Sequence, residues 1–401
     1  MEKGAYFRRF GRARGISFLW FFAGTLMFFW GPFLSGESWA IEDQVESVEK
    51  GIRAVKEAVK EVVKIGPEES KTDFVIMPIP ISNPTIGTGL GAAAMFLYPV
   101  DNKSPVSSTT AGGFYTSNDS WGAGVNQKTF LYEDRLRLNG LAGYGNINLH
   151  FYGVGTDAGN RGISVPITEK GFFFIPEGLT RIAGRLYGGV RYRYLEMESA
   201  VNLQELLNNK IDIPPISSKV RSSGMGLVLN YDSRDNPFNP YKGTFLDLNA
   251  IFPSKALGGD YDYQIYQAAY NFYYELADHM VLAYRAFGKF TAGDVPFFDL
   301  SFFGTHNDLR GYPGGRYLDK MMLATQLEYR WKFYKRWGMV VFAGVGEVAR
   351  NLSDFSTKDL LPSAGAGLRF MVSEKNRVNV SLDYARGREG DAVYFYIGEA
   401  F

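Results

Sequence analysis

The sequence predicts an all-β transmembrane fold, and three observations support it. Glycine is abundant, at 46 of 401 residues, and aromatic residues reach 16%, a mixture that suits strands better than helices. From residue 74 to the end, apolar and polar residues alternate in segment after segment. The apolar set is fringed by tyrosine and tryptophan near segment ends, like an aromatic girdle, and the opposite set carries arginines and carboxylates, as a wet lumen would. Mean hydropathy is slightly negative, which argues against helical spans. A barrel can look this polar on average, because only alternate residues face lipid.

Composition also excludes. The 43 basic residues nearly balance 42 acidic ones, so charge makes no case for nucleic acid. Absence of cysteine removes disulfides, thiol nucleophiles, thiolate metal sites and lipidation at cysteine. The three histidines, His150, His279 and His306, lie far apart. There is no G-x-S-x-G, no H-E-x-x-H and no histidine pair at ligand spacing. The stretch Gly87-Thr88-Gly89-Leu90-Gly91 superficially resembles a phosphate loop, but no helix or Lys-Ser/Thr follows, so it reads as strand glycines. No enzyme activity, cofactor or metal is expected.

In chain order, Arg8, Arg9, Arg12 and Arg14 precede an apolar run from Ile16 to about Leu34. Ser38-Trp39-Ala40 then supplies small residues at the two positions a signal peptidase reads, so residues 1–40 read as a signal peptide. An uncleaved anchor is the alternative, since the run approaches a ~20-residue span. Ile41, Val45, Val48, Ile52, Val55, Val59 and Val62 then form a heptad seam over residues 41–66. That amphipathic helix either self-associates or lies alone against the membrane or the rest of the protein. Gly66-Pro67 ends it, and residues 67–73 form a linker.

Strand signals fill residues 74–401. Leu186, Val190, Tyr192 and Tyr194 alternate with Arg185, Arg191 and Arg193. Leu323, Leu327, Tyr329 and Trp331 alternate with Gln326, Glu328 and Arg330. Ala364, Ala366, Leu368 and Phe370 alternate with Ser363, Gly365, Gly367 and Arg369, and Val378, Val380, Leu382 and Tyr384 with Arg377, Asn379, Ser381 and Asp383. The count is about sixteen antiparallel strands. Short connections fall at 132–135, 277–279, 334–337 and 373–376, and long ones at 144–166, 197–220, 292–320 and 348–362. Short periplasmic turns and long outer loops are the outer-membrane barrel pattern. Val393, Phe395, Ile397 and terminal Phe401 fit a closing strand, with Glu399 out of step.

Several stretches then carry a family resemblance. Tyr231-Asp232-Ser233-Arg234-Asp235-Asn236-Pro237, with Pro240 and Gly243, resembles a turn between the eighth and ninth strands. Leu309-Arg310-Gly311-Tyr312 resembles a (V/L)RG(Y/F) motif in the sixth outer loop. Ser363 to Arg369 and Leu382 to Ala385 resemble closing strands. In this order and spacing, the chain resembles the Omp85 superfamily, the bacterial surface antigen (D15) barrels of BamA and TamA type. With no room for POTRA modules between residues 40 and 74, it resembles the POTRA-less branch.

The resemblance implies a sixteen-stranded outer-membrane barrel with loop six folded into the lumen. Gly344 stands where the family's lumenal aspartate is expected. The expected latch for Arg310 therefore falls to Asp383, shared with Glu328; packing on tyrosines is the alternative. Asp232 and Asp235 are expected to accept backbone N–H bonds in a turn fixed by Pro237 and Pro240, with a metal site as the weaker alternative. The resemblance further implies a weak lateral seam between first and last strands, here carrying Pro78, Pro80, Gly398 and Phe401. Insertion or translocation of proteins or lipids is the leading function. A gated or passive pore, with Arg185, Arg191, Arg193, Arg285 and Arg369 in its lumen, is the second, and a lipid-organising oligomeric barrel the third. Expected partners are outer-membrane lipids, unfolded outer-membrane or secreted proteins, and a second copy through residues 41–66.

Overall fold

A computed structural model describes residues 73–83, 85–201, 216–305, 307–388 and 390–401. The expected signal peptide 1–40, the expected helix 41–66 and all of the expected linker except Asp73 lie outside the described residues. Among the described residues eighteen strands are present: β1 (Asp73–Asn83), β2 (Gly87–Tyr98), β3 (Ser107–Thr116), β4 (Trp121–Leu131), β5 (Leu136–Phe151), β6 (Val165–Ala183), β7 (Leu186–Val201), β8 (Ile216–Asp232), β9 (Gly243–Pro253), β10 (Tyr263–Ala277), β11 (Met280–Gly293), the two-residue β12 (Ser301–Phe302) and β13 (Leu318–Asp319), then β14 (Met321–Tyr334), β15 (Trp337–Ala349), β16 (Leu361–Ser373), β17 (Val378–Arg386) and β18 (Asp391–Ile397). Sixteen of them, all but β12 and β13, form one antiparallel barrel in sequence order that closes from β18 back to β1.

Burial is inverted relative to a soluble protein. Phe96, Trp121, Tyr144, Phe172, Tyr270, Leu327 and Trp331 stand exposed on the outside, while Arg285, Gln326, Glu328, Arg330, Arg369 and Asp383 are buried inside. An apolar exterior around a polar interior suits a barrel in lipid, where every backbone group must be paired within the wall.

The connections sort into two ends. Among the described residues, at one end five of seven have two to four residues, the exceptions being 99–106 and 233–242; at the other, 117–120 is a short turn, while 152–164, 254–262, 294–320 and 350–360 run longer. Two of the predicted long loops are shorter than expected, because strands β5 to β8 are 16, 19, 16 and 17 residues long, beyond the roughly 9–11 a bilayer needs. Their far ends carry polar residues on the outer face, Lys170 opposite Glu198 and Glu198 opposite Lys219. Outside the lipid both faces meet water, so the alternation vanishes while the ladder continues. A six-residue helix, α1 (Thr156–Arg161), sits in the loop between β5 and β6.

Candidate functional site

Loop 294–320 leaves β11, makes a 3-10 turn at Phe297–Asp299, and pairs β12 with β13 at its neck. Between those two strands the chain enters the lumen. Phe303, Leu309, Tyr312 and Tyr317 pack with Met322, Ala324, Val348 and Leu361 on the inner wall. Tyr312 and Tyr317 meet edge-on at 5.7 Å. Gly344 explains the missing family aspartate: a Cβ there would lie 2.6 Å from the Thr325 carbonyl and 3.1 Å from a Leu309 methyl. The loop's leucine occupies the space a larger residue would need.

Arg310 is fully buried. Its Nη1 donates to Asp383 at 2.6 Å, its Nη2 to Glu328, and its Nε to Gln326 at 3.3 Å. Its guanidinium lies 3.4 Å from the centre of the Phe342 ring. The structure thus brings Arg310 together with both expected carboxylates and adds an aromatic floor that is Phe342, not a tyrosine. Four further contacts hold the backbone here. Gln326 Nε2 donates to the carbonyls of Asn307, at 3.1 Å, and Asp308. Ser363 Oγ donates to the Arg310 carbonyl at 2.5 Å, and the Gly311 amide donates to Tyr394 at 2.9 Å. Tyr312 donates to the Pro362 carbonyl at 2.5 Å. Gly311 has φ 93°, and a Cβ would meet Gly387 N at 2.7 Å, so both its conformation and its space call for glycine.

The charge network is larger than the expected pair. Arg330 bonds Glu328 at 2.7 Å, and Arg369 bonds Asp383 at 2.5 Å and Glu399 at 2.8 Å. Tyr396 donates to Asp383 at 2.6 Å, and Asn379 to Glu399 at 2.5 Å. Three arginines face three carboxylates, so the cluster is neutral overall. Each charge is desolvated but paired, and loss of one member leaves another uncompensated. Glu399 was the least expected member. Gly398, with φ 98°, follows the end of β18 and turns the chain inward. Phe401 then packs against Tyr273, Val281 and Ala283, and Arg330 donates to its carbonyl at 3.0 Å. Contrary to expectation, Gly398 and Phe401 do not lie in the seam ladder. The signal was present: Glu399 breaks the apolar step of the last strand, and on the outer face it would have met lipid.

A second anchor holds the loop to the opposite wall. Asp299 receives Arg193 Nη1 at 2.8 Å and the Tyr263 hydroxyl, whose oxygen lies 2.5 Å from Ser222 Oγ and can accept its proton. Arg285 reaches Asp308 at 3.2 Å. Arg191 pairs with Glu177 at 2.5 Å inside the lumen, but Arg185 sits in the β6–β7 turn and donates to the Ser233 carbonyl at 3.0 Å. Arg185 therefore lines no part of the central lumen.

The turn motif folds on its own side chains. Asp232 accepts the Arg234 amide at 3.2 Å and its Nε at 2.9 Å, and Arg234 stacks 4.1 Å from the Phe245 ring. Asp235 accepts the amides of Tyr241, at 2.9 Å, and Lys242, at 3.2 Å. Burial pushes the Asp235 carboxyl up, but the bond from Arg377 and those two amides outweigh it and hold it below the usual carboxylate range. Gly243 has φ 111°, and Pro237 lies within the turn. Among the described residues no acidic or histidine group has the arrangement of a metal site.

The seam differs from every other strand pair. Among the described residues, β1 and β18 share one paired position, Ser82 opposite Val393. On its other side β1 pairs with β2 without a break from Asp73 to Asn83, through Pro78 and Pro80. Continuing the β1–β18 register would set Pro80 opposite Phe395 and Pro78 opposite Ile397, and there the ladder is absent.

Comparison with known proteins agrees with this architecture. Similar solved structures include BamA from Haemophilus ducreyi lacking POTRA domains 1–3, at 16% identity and TM-score 0.51, covering 82% of this chain and 70% of that one. CdiB from Acinetobacter baumannii matches at 13% identity and TM-score 0.53, with coverages of 81% and 59%. CdiB from Escherichia coli matches at 11% and 0.57, with 83% and 63%. At these identities the likeness shows the fold alone, and the chain spans less than two thirds of either CdiB. A comparison with curated protein sequences finds no significant match. The Omp85 superfamily domain model matches residues 114–401, well over half of the sequence, and the chain therefore belongs to the Omp85 superfamily, whose barrels reside in the outer membrane.

Proposed function

We propose that this barrel aids insertion or translocation of proteins or lipids at the outer membrane by opening the seam between β1 and β18. The observation that carries this reading is the single paired position at that seam, set against seven between β17 and β18, from Val380–Ile397 to Arg386–Asp391. Pro78 and Pro80 have the same backbone parity, so both remove donors from one edge of β1. The β2 edge is paired throughout, and we infer that the depleted edge is the one facing β18. Such an edge exposes main-chain groups to which an incoming strand can pair. Loop six, held by Arg310, keeps the adjoining wall of β14 to β18 fixed while the seam moves.

The test is a disulfide across the one paired position. Paired Cα atoms of antiparallel strands lie about 4.5–5.5 Å apart, within disulfide reach, and the chain has no other cysteine. Ser82→Cys with Val393→Cys should abolish function in cells under oxidising conditions and restore it on reduction. Full function of the oxidised form would sink the lateral-seam reading in favour of a pore or a scaffold.

A further inference from the structure

Below Ser82 the seam has no ladder, yet the barrel is shut there, and side chains shut it. Asp73, the first residue of β1, accepts hydrogen bonds from Ser373 Oγ at 2.6 Å and Asn376 Nδ2 at 2.7 Å. Both donors come from the end of β16 and its turn into β17, on the far side of the seam. Beside them lies an apolar cluster drawn from both sides: Val75, Met95 and Leu97 from β1 and β2, Val372, Val378 and Ile397 from β16 to β18. The two sets do not share a face. Phe74 and Phe96 are exposed outside, so Val75, Met95 and Leu97 point inward. Val378 and Ile397 belong to the outward set of their strands, yet Val378 is fully buried. The short-turn ends of β16 to β18 therefore tuck inside β1 and β2, and the seam is overlapped there.

One more residue joins this cluster from far away. Phe238 belongs to the turn 233–242, between β8 and β9 on the opposite wall. Asn236 Oδ1 fixes Phe238 by accepting its amide at 2.8 Å and that of Asn239 at 2.9 Å. The turn is also tied to the β16–β17 turn. Arg377 bonds Asp235 at 2.6 Å and lies 4.6 Å from the Tyr241 ring, and Asn236 Nδ2 donates to the Asn376 carbonyl at 3.3 Å. Asn376 thus joins two systems, its amide holding Asp73 and its carbonyl holding the turn.

We propose that residues 233–242 form a strap across the short-turn mouth that, together with Asp73, clasps the unladdered half of the seam. The proposal rests on the lateral-seam reading and specifies its regulation: the seam opens at this end only when Phe238 leaves its cluster and Asn376 releases Asp73. Ten residues make a turn far longer than a hairpin needs, and the surplus length is what reaches the seam.

The test uses the full chain in phospholipid nanodiscs, spin-labelled at Val100→Cys and Lys375→Cys, exposed positions in the turns on either side of the clasp. Distances are read by pulsed electron resonance, and heat-modifiable migration on gels confirms that each variant is folded. Asp73→Ala and Phe238→Ala should each lengthen the label separation by about one strand spacing, ~5 Å, and broaden it. Arg377→Ala is the substitute if either variant fails to fold. Unchanged distances in the folded variants overturn the clasp. If the distances hold but the Ser82–Val393 disulfide blocks function, the clasp fails and the seam reading stands. If the distances lengthen but the disulfide leaves function intact, the clasp stands and the seam reading fails.

Discussion

Loop six and the β1–β18 seam draw on the same closing strands but are held in opposite ways. The loop has almost no regular backbone pairing, only β12 with β13, and is fixed by buried charge. The seam joins two good strands, and below one paired position it is held by Asp73 and an apolar overlap. A buried ion network is stiff, because displacing one member strands the others in a poor dielectric. An apolar overlap with a few neutral hydrogen bonds slides or separates at lower cost. The molecule places the stiff device under the loop and the yielding one at the seam, as the proposed sideways opening would require.

This contrast can be broken from the loop side first. Arg310→Ala leaves Glu328 and Asp383 short of one cation and should destabilise the folded barrel by about 3–5 kcal/mol. Urea unfolding of the purified protein measures the loss, and trypsin should reach the Arg316 and Lys320 region. A loss below 1 kcal/mol would show that the loop is held by Tyr312 and Leu309 packing instead. Glu399→Gln removes a charged acceptor from Arg369 and should cost less, about 1.5–3 kcal/mol. Its signature should be protease sensitivity of the C-terminal segment with loop six still protected; simultaneous exposure of both would mean one cooperative unit.

The seam side should respond more weakly. Pro78→Val with Pro80→Val restores two donors, each worth about 0.5–1.5 kcal/mol, but frees the unfolded chain by about 0.4–1 kcal/mol per site. The net stability change should stay within about 1 kcal/mol. Amide exchange is the sharper probe: β18 from Val393 to Ile397 should gain protection, and unchanged exchange would place the missing donors on the β2 edge. The strap gives the smallest effect, read against pH. The Asp235 carboxyl is depressed in the folded state, so its contribution is complete above the unfolded value near 3.9 and is lost as pH falls through the folded one. Strap protection should be flat from pH 8 to about 5 and decline only in stronger acid. Asp235→Asn should flatten that decline, and a transition near neutrality would point to another group.

Several of these features could be read from residues alone. The alternation of Leu323 to Trp331 with Gln326 to Arg330 assigned both faces of β14, and the same pattern placed Asp383 on the lumenal side. The departure at Gly344 was visible as well, although its cause, a methyl of Leu309 against the backbone, was not. The far ends of β5, β7 and β8 were missed, because polar residues such as Asn146, Asn148, Glu198 and Lys219 stand there where the strands below carry apolar ones. Glu399 read as a defect in the last strand, since no local pattern announces that Gly398 will turn it inward.

Local chemistry determined the parts that repeat every two residues: strand existence, the inward or outward sense of each side chain, the strand number, and the Asp232–Gly243 turn with its own stapling bonds. The tertiary structure alone decided which charges meet. Arg310, Glu328, Asp383 and Glu399 come from a loop, two strands and the segment after β18, and their meeting depends on register accumulated around the closed barrel. The same holds for Phe238, whose place beside β1 and β18 follows from the width of the mouth and the reach of a ten-residue turn.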